Sequence, residues 1–328
     1  MRARRPAHRD GPVTENLAAK VTIVGVGAVG ASISFALAAE GLATELALID
    51  SDRRRAEGEA WDLDGAAAFI KPVRAYAADY PDATGSRVVI FSAGAPQVAG
   101  RDPLEVARAN LTLLRQTFPR LVRYCPDAVF IMVTNPVDVM TYAATRLADT
   151  ADGRVMGTGT VLDTSLFKRL LARHLRVDPR NVHAYVVGEH GSAEVPLWSR
   201  VSVAGLHIDD FCRVQGLLLP DRTALFDRVR AASEEITGRE GVTKFAVSIT
   251  VARIVEAVLR DEHSVLTVSG MVEGIYGLEG PNCFSLPAVV DARGRGRPLP
   301  LAMDEDELAA LRASAERLKR IHRELGLG

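Results

Sequence analysis

Residues 21–30 read Val21-Thr22-Ile23-Val24-Gly25-Val26-Gly27-Ala28-Val29-Gly30, and this stretch decides the fold. A short run rich in β-branched residues leads directly into three glycines with the spacing GxGxxG. Residues 31–40 have helix-forming composition, and Gly41 ends them. A second apolar run at 46–49 closes on Asp50. The order of strand, glycine turn, helix, strand and acid predicts a βαβ unit that binds a dinucleotide.

Each glycine of this turn has a physical role in that prediction. The three allow a tight turn, a close approach of pyrophosphate to the backbone, and close packing of helix on strand. Pyrophosphate would lie at the helix N-terminus, where free N–H groups and the positive end of the dipole meet its charge. Asp50 would accept hydrogen bonds from the ribose hydroxyls and repel a 2′-phosphate, which favours NAD over NADP despite the arginines at 53–55. The cofactor residues predicted here are Gly25, Gly27, Val29, Gly30 and Asp50.

Composition limits the other classes of function. The chain has 328 residues, 48% of them apolar and 25% charged, which is ordinary for a globular protein of two domains. A net charge of −1 gives no field that would attract nucleic acid or an anionic bilayer, and no run reaches the roughly 20 apolar residues of a membrane span. The three cysteines show no metal-site spacing, so we expect no metal and a reduced, cytoplasmic setting.

The apolar runs predict an α/β architecture. Residues 88–91 and 129–133 are apolar throughout, as in strands of a parallel sheet covered on both faces. We therefore expect a Rossmann-type, doubly wound parallel sheet domain at 21–160 and an α+β catalytic domain at 161–328. Residues 1–20 are expected to form a disordered basic tail, because no apolar segment follows their arginines.

Further motifs identify a family. The segments 133–138 (Val-Thr-Asn-Pro-Val-Asp), 159–163 (Gly-Thr-Val-Leu-Asp) and 188–191 (Gly-Glu-His-Gly) resemble, in this order, those of the lactate/malate dehydrogenase family. The tracts at 58–63 and 264–269 also resemble that family, and the likeness extends over nearly the whole chain from Val21. The resemblance implies an NAD-dependent dehydrogenase acting on CH–OH, assembled as a homodimer or homotetramer.

The resemblance also implies roles for individual residues. His190 would carry the proton, which suits an imidazole that titrates near working pH, and Asp163 would orient its ring. Asn135 would hold both the nicotinamide side of the cofactor and the substrate oxygen, while Gln97 and Thr243 would lie beside the substrate. The remaining cofactor positions implied by the resemblance are Gly94, Ala95 and Val133.

Two positions depart from the family pattern. The arginine that grips the substrate carboxylate is replaced by Leu166, and the arginine of the mobile loop falls on Pro103. Arg101, two residues away, could substitute only if the loop is rebuilt, since Pro103 restricts the backbone. Gln97 occupies the position where malate-type enzymes carry arginine. A carboxylate facing Leu166 would lose its hydration without compensation, so we expect a substrate with a neutral group there.

Three hypotheses therefore remain open. The first is an NAD-dependent oxidoreductase that interconverts a 2-oxo compound, or related ketone, and its 2-hydroxy form, with a substrate lacking a free carboxylate at Leu166. The second is an ordinary L-lactate dehydrogenase in which Arg101 compensates. The third is a non-catalytic NAD-binding sensor. The intact pair of His190 and Asp163 argues against the third.

Overall fold

The computed structural model describes residues 19–95, 103–148 and 150–327. The strands are β1 Lys20–Val24, β2 Glu45–Ile49, β3 Arg74–Ala77, β4 Val88–Phe91, β5 Val129–Met132, β6 Val155–Gly157, β7 Val182–His183, β8 Val186–Gly188, β9 Glu194–Pro196, β10 Ser202–Val203, β11 Leu206–His207, β12 Ser264–Leu266, β13 Ser269–Val272, β14 Asn282–Ser285, β15 Ala288–Asp291 and β16 Gly294–Pro298. The α-helices are α1 Ala28–Glu40, α2 Arg53–Gly65, α3 Pro103–Tyr124, α4 Val137–Leu147, α5 Val161–Leu175, α6 Ile208–Gln215, α7 Arg222–Glu240, α8 Phe245–Leu259 and α9 Glu305–Glu324.

The first six strands form a parallel sheet in the order β3-β2-β1-β4-β5-β6, with helices on both faces. Successive residues of β4 enter different cores: Val88 and Ile90 pack with α1, α2 and α8, whereas Val89 and Phe91 pack with α3, α4 and α9. This alternation explains why the strand is apolar at every position. The predicted doubly wound α/β fold is confirmed.

The sheet continues beyond β6 with strands from the second half of the chain. β13, β14, β8 and β9 follow in that order, all antiparallel, and β13 meets β6 through the single pair Ser269 and Gly157. Two small three-stranded sheets, β11-β10-β7 and β12-β15-β16, complete the described strands. The sheet of the first half is thus extended by strands of the second, and the domain boundary near residue 160 stays a prediction.

Helix α1 begins earlier than the sequence indicated. α1 begins at Ala28 rather than at residue 31, so Val29 and Gly30 lie in its first turn. α5 begins at Val161, which places Asp163 in the first turn of this helix. In a sequence, glycine at the start of a helix is typical of a turn. In the helix itself, it leaves the N-terminal backbone amides without a capping side chain. The expected tail lies outside the described residues except for Ala19 and Lys20.

Parallel strands place their carboxyl ends at one edge of the sheet. The order of strands reverses between β1 and β4, and the segments after these two strands meet there. In open α/β sheets a ligand binds in the crevice at such a switch point. The candidate site is therefore located by the topology before any side chain is considered.

Candidate active site

The glycine turn after β1 is too crowded for side chains on the protein side and open on the other. A Cβ on Gly25, whose φ is +88°, would overlap the backbone of Ala93, and a Cβ on Gly30 would overlap the carbonyl oxygen of Gly25. A Cβ on Gly27 would meet no protein atom within 4 Å. Gly27 is exposed and is the N-cap of α1, without a side chain that caps the helix. Uncapped amides beside open space form a cradle for an anion, which fits a pyrophosphate.

The carboxylate of Asp50 is fixed at the end of β2. Its Oδ2 accepts a hydrogen bond from the backbone N–H of Val26 at 2.8 Å, and its Oδ1 accepts one from Asp52 at 2.9 Å. Arg55 approaches Oδ1 to 3.7 Å. A carboxylate has about four acceptor positions, so capacity remains for ribose hydroxyls. The arrangement fits the role expected of Asp50, which stays a prediction at the level of this residue.

Asn110 joins the two segments that follow β4 and β5. Its Oδ1 accepts from the backbone N–H of Ala95 at 2.7 Å, and its Nδ2 donates to the carbonyl of Asn135 at 2.8 Å. A Cβ on Gly94 would come within 2.9 Å of Thr134 and 3.2 Å of Asn110. Sequence reasoning missed this clamp, because nothing in the chain near Asn110 marks it.

Of the other predicted cofactor positions, Val133 is buried at the end of β5, and Asn135 is exposed in the crevice and precedes a cis peptide bond to Pro136. Val29, in the first turn of α1, is half-buried. The glycine turn, the acid and the two clamped segments together provide a coherent groove for a dinucleotide. The role of each of these residues in binding NAD stays a prediction.

His190 and Asp163 lie in contact, although 27 residues separate them in the chain. His190 Nδ1 and Asp163 Oδ2 are 2.7 Å apart, and both side chains are largely shielded from solvent. The charge of Asp163 is the main cause that raises the pKa of His190 to about 9, against the opposing effect of burial. A charged imidazole is therefore the resting form at neutral pH. Because Nδ1 is held by the carboxylate, Nε2 is the nitrogen left to exchange a proton.

The side chain of Asp138 holds the backbone at His190 in place. Its Oδ2 accepts from the backbone N–H of His190 at 2.7 Å, and its Oδ1 accepts from Ser269 Oγ at 2.5 Å. Asp138 is buried, and burial raises the pKa of its carboxyl to about 6. The sequence motif contained this residue without indicating its function. We infer that it positions His190 rather than exchanging protons with substrate.

A second carboxyl lies beside the pair. Single side-chain atoms of Asp163, His190 and Glu194 all fall within 4.8 Å of one another. Glu194 is buried, and burial together with the charge of Asp163 raises the pKa of its carboxyl. Such a set could in principle ligate a metal, but the contact of Asp163 with Nδ1 fits the role expected of Asp163, that of orienting the imidazole ring. The expectation that no metal is required stays a prediction.

Leu166 and Thr243, two of the predicted substrate residues, lie in the described part of the chain. Leu166 is half-buried in α5, three residues after Asp163, and packs against the apolar cluster around Phe167. Thr243 is half-buried before α8, with its Oγ1 at 3.5 Å from that of Thr237. Gln97 and Arg101 lie outside the described residues, so the hypothesis of a compensating arginine is not tested. Arg169, one turn beyond Leu166, is exposed.

None of the helices in the described part of the chain combines the length and the apolar character needed to cross a bilayer. The three cysteines are all free and buried. The burial of Cys125 and Cys283 raises the pKa of each thiol, to about 11 and about 12. These thiols therefore act as core residues and not as nucleophiles.

Comparisons with known proteins show similarity over nearly the whole chain. The family model for the NAD binding domain of lactate/malate dehydrogenase matches residues 19–157, and the model for the alpha/beta C-terminal domain matches residues 160–325. An L-lactate dehydrogenase of Moorella thermoacetica is 45% identical over 311 residues, covering 94% of this chain and 98% of the relative. That of Nitratidesulfovibrio vulgaris is 43% identical over 298 residues, covering 90% and 96%.

A solved structure is also similar. The minor L-lactate dehydrogenase from Enterococcus mundtii, in a ligand-bound form, superposes with a TM-score of 0.89 at 36% identity, covering 94% of this chain and 98% of that one. The predicted cofactor, NAD, and the predicted reaction class, oxidoreduction of a CH–OH group, are confirmed by these matches. The chain belongs to the lactate/malate dehydrogenase family.

Proposed function

We propose that this chain interconverts a 2-oxo compound and its 2-hydroxy form, with His190 as the proton carrier and Asp163 as its partner. The observation that supports this proposal is the 2.7 Å contact between His190 Nδ1 and Asp163 Oδ2. A side chain that exchanges a proton in the reaction must be fixed in orientation and tuned in pKa, and the carboxylate does both.

The cofactor and the protein supply different parts of the proposed reaction. NADH, when bound, supplies the hydride for the carbonyl carbon. His190 donates its Nε2 proton to the carbonyl oxygen, and its pKa of about 9 keeps that proton available at neutral pH. Asp163 stabilises the imidazolium, and Asp138 fixes the backbone of His190 at 2.7 Å. In the reverse direction the neutral imidazole accepts the proton of the hydroxyl.

We propose further that the substrate carries no free carboxylate at Leu166. A charge-assisted bidentate contact between arginine and carboxylate contributes about 1.5–3 kcal/mol, and a leucine supplies none of it. The surroundings of His190 add the negative charge of Asp163 instead, since this carboxylate lies 2.7 Å from the imidazole. An ester, an amide or a larger hydrophobic ketone would suit this site better than an acid.

The second candidate is lactate dehydrogenase activity proper. The relatives at 45% and 43% identity are both L-lactate dehydrogenases, and this similarity supports the second candidate better than the neutral-substrate hypothesis. It requires another cation to bind the carboxylate, and Arg101 is the one closest in sequence to the replaced loop arginine. The similarity gives no support to a non-catalytic sensor.

The deciding experiment measures NADH oxidation with matched substrate pairs. Pyruvate is compared with its methyl ester and its amide, and longer and aryl 2-oxo acids are compared with their esters. A higher kcat/KM for the neutral member of each pair would support the proposal. A higher kcat/KM for the acids would favour lactate dehydrogenase activity, and loss of that activity in Arg101→Ala would identify the compensating cation. NADH binding without any turnover would overturn both.

We also propose that the chain functions as a homo-oligomer in a reducing, cytoplasmic setting. Large apolar side chains are exposed on three helices and the segment after α2, namely Phe35, Trp61, Phe69, Phe245 and Ile249, with exposures between 55% and 91%. α1 and α8, which carry three of them, pack side by side. Exposed apolar side chains on two adjacent helices are typical of a protein interface. Light scattering after size-exclusion chromatography would give the subunit number, and a monomer would contradict the proposal.

A further inference from the structure

We propose that a cavity between α7, β9 and α9 binds a small organic anion, a carboxylate or a phosphate ester, through Arg230, Arg317 and Arg320. The cavity has a volume of about 320 Å³, and these three arginines line it. They come from two helices far apart in the chain, so the cluster is produced by the tertiary fold. The site lies outside the cofactor groove and the residues assigned to the proposed reaction.

The three guanidinium groups are incompletely neutralised by the protein. Arg317 Nε lies 3.0 Å from Glu189 Oε2. Arg230 Nη2 donates to the carbonyl oxygen of Glu194 at 3.1 Å, and its Nη1 lies 3.9 Å from Asp227. Within the described residues, Arg320 forms neither a side-chain hydrogen bond nor an ion pair. The carboxylates of Glu189 and Asp227 lie within 4 Å of these guanidinium groups. Glu194 also lines the cavity, and its burial raises the pKa of its carboxyl and so disfavours its charge. Positive charge therefore exceeds negative charge around the cavity, which favours an anionic ligand.

Apart from Glu194 and Ser314, the rest of the lining is small and apolar. Ala193 directly precedes β9, and Val195 lies in β9. Ala310 and Ala313 lie on α9. Alanine side chains leave room beside the arginines, and their methyl groups offer no hydrogen bonds. A ligand that combines one anionic group with a short apolar body matches both parts of this surface. A nucleic acid or a long acidic peptide does not fit a cavity of this volume.

The cavity adjoins the segment that carries His190. Glu189, which pairs with Arg317, directly precedes His190, and Glu194 lies within 4.8 Å of the His190 and Asp163 side chains. A bound anion would compete with Glu189 for Arg317. A ligand in the cavity is thereby connected to the residues around His190 by two contacts. These are the ion pair between Arg317 and Glu189 and the hydrogen bond from Arg230 to the backbone carbonyl of Glu194.

The test is binding to the full chain, measured by isothermal titration and by the shift of Tm. The probes are inorganic phosphate, methyl phosphate and butyrate, each compared with chloride at equal ionic strength. We expect saturable binding of at least one probe, weakened about tenfold or more in Arg320→Ala and in Arg230→Ala, because each loses a charge-assisted contact. Arg323→Ala is the matched control, since Arg323 lies on α9 but does not line the cavity.

Each outcome of these binding measurements supports or overturns the proposal. Binding of methyl phosphate alone would identify a phosphate ester as the ligand, and binding of butyrate alone a carboxylate. Equal effects of all probes and chloride, or unchanged binding in both Arg320→Ala and Arg230→Ala, would overturn the proposal. Binding is measured without turnover, so this result is independent of whether the proposed reaction is correct.

Discussion

Leu166→Arg tests the proposed substrate specificity most directly. Leu166 follows Asp163 by three residues in α5, so the two side chains lie on neighbouring positions of one helix face. The substitution places a guanidinium one turn from the partner of His190. Leu166 is only half-buried and packs at the edge of the cluster around Phe167, so the methylene stem of an arginine can retain part of its packing.

The magnitude follows from the contact that is introduced. A bidentate contact with a substrate carboxylate is worth about 1.5–3 kcal/mol, and each 1.4 kcal/mol is a factor of ten in affinity. The ratio of kcat/KM for pyruvate to that for methyl pyruvate should therefore rise about 10- to 150-fold. The ratio cancels general damage to the enzyme, because both substrates use the same proton carrier and the same cofactor.

Steady-state NADH oxidation on both substrates provides the assay, with Leu166→Met as the control of similar volume. The control should leave the ratio as in the wild-type chain, since methionine adds no charge. An unchanged ratio in Leu166→Arg, with Tm preserved, would refute the reasoning. It would mean that another cation already holds the carboxylate, or that the substrate binds away from this residue.

Three further predictions concern the pair, the glycine turn and a buried histidine. Asp163→Asn removes the main cause of the raised pKa of His190, so the high-pH limb of carbonyl reduction should move to lower pH, and kcat should fall by on the order of 10²–10⁴-fold. Gly30→Ala should lower Tm because its Cβ overlaps a backbone carbonyl, whereas Gly27→Ala should keep Tm but weaken NADH binding in a fluorescence titration. Burial lowers the pKa of His322 to about 4 from 6.5, so the unfolded chain binds the extra proton and stability should fall as pH drops through that interval, by at most about 3 kcal/mol. In His322→Phe this loss should vanish in denaturant unfolding at the same pH values, and a persistent loss would assign it to other groups.

Local sequence was sufficient to predict the glycine turn and the acid of the cofactor groove, but not the clamp at Asn110. The run from β1 through the glycine turn to Asp50 is continuous in the chain, and the hydrogen bond from Val26 to Asp50 joins its two ends across 24 residues. Apolar runs such as 88–91 predicted strands of a doubly covered sheet, because every residue of such a strand enters a core. The start of α1 was predicted too late, at residue 31 instead of Ala28, because the glycines there are typical of a turn.

The catalytic half was predicted from motifs, and only the tertiary structure brought its parts together. The sequence by itself predicted His190 as the proton carrier, since this residue lies in a recognisable segment, and it placed Leu166 where the family pattern has an arginine. It could not show that Asp138 holds the backbone of His190 from 52 residues away, or that Ser269 in turn holds Asp138 across 131 residues. Contacts of this range depend on how strands and helices pack, and no local pattern encodes them. The cavity of arginines between α7 and α9 has the same origin, because its charges converge only when the two helices are folded against β9.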